Sequence, residues 1–145
     1  MNQTYVTSAG WSRKVNRVIR TVHPSIVKIV KESSDEVLKA TIKNVSGPGI
    51  RPGVTRAENN AIGQMPIPRR TKQLIHSIKR LVIYNWLHAV FSDPNIAPHG
   101  KYVHDGTRRA RPRRFLGDVM TEKSRKIYSQ IKGAFLMAMR KEGLR

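Results

Sequence analysis

The sequence predicts an α+β fold: long N-terminal and C-terminal helices packed on a small antiparallel β-hairpin or sheet, with a long extended loop. Apolar residues recur at helical spacing over residues 11–44 and again from about 113 to 142. Between these stretches a single run, LVIYNWLHAVF at 81–91, is dense in β-branched and aromatic side chains. Residues 46–66 hold seven glycines and prolines and no apolar period, so they read as a loop longer than compact domains usually carry.

In chain order, residues 1–10 are small and polar and read as a flexible arm. Trp11, Val15, Val18 and Val22 fall at i, i+4, i+7 and i+11, one stripe of a helix. Pro24 follows, and the residue before a proline is pushed away from helical angles. The helix is therefore expected to break there, by a kink or by a new start with Pro24 in the first turn. Ile26, Val30, Val37, Ala40 and Ile42 carry the pattern on to about Asn44. Beyond the loop, Thr71 is placed to cap a short helical turn holding Leu74, Ile75 and Ile78. The strand run comes next, as a hairpin or two short strands, and the turn-rich SDPNIAPHG closes it. Phe115, Val119, Met120, Ile127, Ile131, Phe135 and Met139 then mark the stripe of the last helix, with Gly143 suited to its C-terminal cap. This pattern predicts a core in which Phe115, Val119, Ile127, Ile131 and Phe135 meet Val15, Val18, Val82 and Tyr84. Trp11 and Trp86 read as core or interface anchors. Residues 135–139, FLMAM, wrap apolar surface right around the helix, which suits one covered on more than one side, as in an oligomer.

The chain of 145 residues matches one domain, spanning 1–145, and its 39% hydrophobic content supports one modest core. There are no cysteines, which excludes disulfide frameworks, thiolate zinc sites and cysteine nucleophiles. The start, MNQTYVTSAGWSRKV, has no apolar run behind a basic segment, so no secretory signal is expected, and no stretch is apolar enough to span a membrane. His23, His76, His88, His99 and His104 show no metal-binding spacing. His99, His104 and Asp105 come nearest to a metal cluster, but each has a plain loop or surface role. Gly47-Pro48-Gly49 lacks the lysine and the strand of a phosphate-cradling loop. The sequence therefore predicts no catalytic residues, no cofactor and no metal.

The net charge of +19 calls for a polyanionic partner or an acidic protein neighbour. Nearly every segment of the chain is basic, rather than one tail or one helix face. The densest run is Arg108, Arg109, Arg111, Arg113 and Arg114, and no aromatic residue interleaves with it, which argues against a single-strand stacking platform. Guanidinium forks pair with carboxylates and phosphates alike. The run is expected to meet acidic side chains of an adjoining subunit, with DNA as second choice.

Three blocks stand in order along the chain, PIPRRTKQLIHSI at 66–78, YVHDGT at 102–107 and RPRRFL at 111–116. Together they resemble a family of tail-component, or head–tail joining, proteins of tailed bacteriophages. Pro66-Ile67-Pro68-Arg69-Arg70-Thr71-Lys72-Gln73-Leu74-Ile75-His76-Ser77-Ile78 resembles the family's P-V-x-T-G-x-L-x-x-S-I segment. Tyr102-Val103-His104-Asp105-Gly106-Thr107 is similar to its Y-x-x-x-V-E-x-G-T element, and Arg111-Pro112-Arg113-Arg114-Phe115-Leu116 to its R-P-F-L lead-in to a long C-terminal helix. The resemblance spans residues 11–142 and rests on Pro66, Thr71, Leu74, Ser77, Ile78, Tyr102, Asp105, Gly106, Thr107, Pro112, Phe115 and Leu116. It implies a non-catalytic virion protein without a cofactor, forming a homo-oligomeric ring at the head–tail junction or tail end and joining tail to head. Its implied partners are other neck, connector or tail-tube proteins, and viral DNA in the lumen. The alternative is a basic DNA- or RNA-binding module. Salt separates the two, since nucleic-acid affinity falls steeply as salt rises.

Overall fold

In the computed structural model, residues 8–47, 72–108 and 112–144 are described. The first element, α1 (Ser8–Val45), is one helix of 38 residues, and Pro24 lies inside it without ending it. A new helix start at Pro24, one of the two expected forms of break, is absent. A proline removes one helical hydrogen bond and crowds the carbonyl four residues earlier, here that of Arg20. Pro24 and Arg20 are both exposed, so water can serve the freed carbonyl. Val18 and Val22 before the proline and Ile26 after it pack in one cluster with Ala138, which carries the helix through.

The short α2 (Gln73–Ser77) has Lys72 at its N-cap with no side-chain bond there; Thr71 and the loop at 48–66 lie outside the described residues. Without a break α2 becomes β1 (Ile78–Tyr84), which pairs antiparallel with β2 (Leu87–Ser92) across the turn at Asn85-Trp86. The hairpin is the expected one, with a bulge between Val82 and Tyr84. Ile78, Arg80 and Val82 share a face with their partners Ser92, Val90 and His88, because strand side chains alternate. That face turns to α1. The Ser34 hydroxyl donates to the Lys31 carbonyl (2.8 Å), so His88 Nδ1, 2.8 Å away, donates to Ser34. The Arg80 guanidinium pairs with Asp35 beside it.

After the hairpin the Asp93 carboxylate accepts the Asn95 N–H (2.9 Å), and a helix not foreseen from the sequence, α3 (Gly100–Asp105), follows. The last helix, α4 (Gly117–Lys141), begins about four residues later than expected, because Phe115 and Leu116 form the turn before it. Gly143 ends it at φ 68°, and Leu144 N–H reaches back to the Met139 carbonyl (2.9 Å).

The buried residues form two clusters. Val45, Leu74, Ile78, Ala97 and Phe115 join the C-terminal half of α1 to α2, the hairpin base and the lead-in to α4. Val18, Val22 and Ala138 join the N-terminal half of α1 to the end of α4. The two long helices are antiparallel, with Lys126 on Glu36 (2.9 and 3.0 Å) near one end and Arg17 facing Glu142 (3.8 Å) at the other.

Three positions expected in the core lie outside it: Val82, Tyr84 and Phe135 are about half exposed. Trp11 and Trp86 are exposed too, so neither anchors the core. Val15, Ile127 and Ile131 are half-buried, while Val18, Val119 and Phe115 are buried, but Phe115 and Val18 lie in different clusters and not in the single core expected. The cause is the layer arrangement: α4 packs along α1 and not on the hairpin. One helix can cover only the base of a two-stranded sheet, and the tip extends beyond it.

Candidate assembly interface

The three sequence blocks meet in space. Leu74 and Ile78 of the first and Phe115 of the third share one buried cluster, with Val103 and Leu116 packed against it. Ser77 is fully buried; its hydroxyl lies 2.7 Å from the Leu74 carbonyl and 2.8 Å from Ser92 Oγ. Gly100 stands so close that an added Cβ would lie 2.7 Å from Ser92 Oγ, so a side chain there would disturb this pair. The second and third blocks are tied together by the Arg113 N–H donating to the Val103 carbonyl (3.0 Å). His104 sets its ring edge-on to Phe115 with centroids 5.2 Å apart. The Gly117 N–H points at His104 Nε2 (3.4 Å), which leaves Nδ1 to donate to Asp105 (2.8 Å). That bond holds the Asp105 carboxyl below the usual aspartate pKa. Gly106 adopts φ 81° and ψ −179°, a region essentially reserved for glycine. Tyr102, Thr107 and Pro112 are exposed; Pro66 and Thr71 lie outside the described residues.

The arginine run is not uniform. Arg108 and Arg114 are exposed, whereas Arg113 is half-buried, and burial lowers its pKa from the usual arginine value. Arg109 and Arg111 lie outside the described residues. The run also stands further from the helix than the sequence suggests, since α4 starts at Gly117 and carries Asp118 in its first turn.

An exposed apolar surface covers the hairpin tip, where the sequence pattern predicts Val82 and Tyr84 in the core and Trp86 in the core or an interface. Leu81, Val82, Ile83, Tyr84, Trp86 and Leu87 are all exposed, and Tyr84 stacks on Trp86 at 5.4 Å with the rings 9° apart. The signal was present: residues 81–87 contain no charge and no polar alternation, so neither sheet face was marked for water. A second apolar surface lies on α4, where Tyr128, Phe135, Leu136 and Met137 are exposed, Met137 at 75%. This agrees with the expectation that the FLMAM segment has more apolar surface than one neighbour covers.

Between β2 and the start of α4, over a floor of Val30, Ser33 and Val37, lies a cavity of about 720 Å³ bordered by His88, His104 and Met120. Among the described residues, no group of His, Asp or Glu side chains stands ready to hold a metal ion. Nor is any helix among them long and apolar enough to cross a membrane. No family model, curated protein or solved structure matches the chain.

Proposed function

We propose that this chain is a structural virion subunit that assembles into a homo-oligomeric ring at the head–tail junction of a tailed bacteriophage and joins tail to head. The resemblance of the three blocks suggests it, and the exposed hairpin tip is the observation that carries it. Copies bearing +19 repel one another, so contact between them needs surface without charge. Residues 81–92 and 133–139 carry none, and both runs hold exposed apolar side chains. Covering the exposed half of two aromatic rings, about 200 Å² at ~25 cal/mol per Å², is worth roughly 5 kcal/mol per copy before ordering costs. In this reading the tip and the outer side of α4 make the contacts between neighbours. Arg108, Arg109, Arg111, Arg113 and Arg114 then meet acidic side chains of an adjoining subunit or neck protein.

Two measurements test this. The protein should sediment as an oligomer in high salt, where charge repulsion is screened, and the Tyr84→Ser/Trp86→Ser variant should sediment as a monomer. In the phage, the Arg109→Glu/Arg111→Glu variant should give filled heads that fail to join tails while packaging stays normal. A wild-type monomer at all salts, together with infectious particles from the arginine variant, would refute the assembly reading.

A further inference from the structure

The outer face of α1 carries a row of cations that the assembly reading does not use. Arg13, Arg17, Arg20, Lys28 and Lys31 are all exposed, and at 100° per residue they fall within about 80° of arc. Val18 and Val22, buried against α4, lie on the opposite side. The row is about 27 Å long at 1.5 Å per residue. Residues 8–31 contain no carboxylate.

The neighbouring acids do little to neutralise it. Asp35 lies on the same face and is taken by Arg80. Glu142 is 3.8 Å from Arg17, which remains 69% exposed, and Glu32 is 3.9 Å from Lys28, with both side chains largely in water. Arg20 and Lys31 have no ion-pair partner among the described residues. Exposed pairs of this kind contribute little. Pro24 is the one non-polar side chain within the band.

We infer that this row is a binding surface for the phosphate backbone of duplex DNA. A protein–protein interface is built around an apolar core, and this band has none. A membrane-surface helix needs a continuous apolar face beside its basic one; Val18, Val22 and Ile26 of α1 are packed in the cluster with Ala138, which leaves only Trp11 and Ile19 exposed among its large apolar side chains. Phosphate contacts need neither; they need several exposed cations on a rigid frame. A row of 27 Å matches about eight base-pair steps of 3.4 Å each. The mixture of lysine and arginine and the absence of aromatic side chains on the band fit backbone contact without base reading. In a ring, such a face turned to the lumen would hold the genome by its phosphates, but the inference stands on α1 alone and does not depend on the ring.

Binding to a labelled duplex of about 20 base pairs, measured by anisotropy from about 50 to 200 mM salt, tests it. The Arg13→Gln/Arg17→Gln/Arg20→Gln variant should lower the slope of log K against log salt by about 2.7, or ~0.9 for each phosphate left without its cation. The control removes the same charge elsewhere, through Lys101→Gln/Arg125→Gln/Lys132→Gln at exposed positions off the band, and should leave most of that slope in place. An equal fall in both variants would mean that net charge alone drives binding, and would overturn the assignment. So would absence of duplex binding at the lowest salt, or tighter binding to duplex RNA or to anionic vesicles. The oligomeric state of the same variants reports separately on the ring.

Discussion

Phe115→Ala tests the architecture most directly. Phe115 is 1% exposed and sits where α1, α2, the hairpin base and the lead-in to α4 meet, in one cluster with Val45, Leu74, Ile78 and Ala97. Removing a buried phenylalanine costs about 3–5 kcal/mol, and the site is too tied down by the Ser77–Ser92 pair and the Arg113–Val103 bond to collapse cheaply. The edge-on packing with His104 goes with it, so the upper half of that range is expected. For a chain of this length each kcal/mol lowers Tm by roughly 2–4 °C, giving a fall of roughly 8–20 °C. Phe135→Ala is the matched comparison. It removes the same side chain from the same sequence stripe, but Phe135 is 46% exposed, so its cost should be about half as large or less. Thermal unfolding followed by far-UV circular dichroism on both variants decides the matter. Equal falls in Tm, or an unchanged Tm for Phe115→Ala, would show that the core is not where this packing places it.

Gly106→Ala forces a side chain into φ 81°, ψ −179°, and should cost about 1–3 kcal/mol in denaturant unfolding, whereas Gly133→Ala meets nothing within 4 Å and should stabilise α4 by up to ~1 kcal/mol. Gly100→Ala should destabilise by breaking the Ser77–Ser92 pair, and less so in a Ser92→Ala background where that pair is already gone; additive effects would refute the close approach. The folded-state pKa values of Glu36, Asp93 and Asp105 are lowered, chiefly by hydrogen bonds from Lys126, Lys79 and His104 respectively. Their contribution is therefore present above the unfolded carboxylate pKa near 4 and disappears as pH falls through the lower folded values. Asp93→Asn should flatten the acid limb of stability against pH.

The two long helices, the hairpin and the Gly143 cap were legible because each is written locally, as apolar spacing, β-branched density or a glycine after a periodic run. That the helix runs on past Pro24 without a new start was not legible, because the packing that favours it comes from Ala138, more than a hundred residues away. Helix α3 stayed hidden since GKYVHD is too short to show a period, and its place depends on Val103 and His104 packing beside Phe115. Val82 and Tyr84 were expected inside on the assumption that apolar strand residues find cover. Nothing in their own sequence says that α4 lies along α1 instead of across the hairpin. Of the arginine run, the sequence carried the charge but not the partial burial of Arg113, which follows from its backbone bond to Val103.

The continuity of α1 bears on how the protein comes apart. The helix is a beam clamped near each end by a different cluster, and the Arg20 carbonyl, deprived of its usual amide partner, lies within the first clamp, between Val18 and Ile26. The clamp at Val18, Val22 and Ala138 grips with small side chains, while the other is built on Phe115 and Leu74. Amide hydrogens of the first turns of α1 and the last turns of α4 should therefore exchange together, through an opening that leaves the hairpin end intact. The seam between two units that unfold at different free energies lies beyond the proline, between Ile26 and Leu38, within one uninterrupted helix.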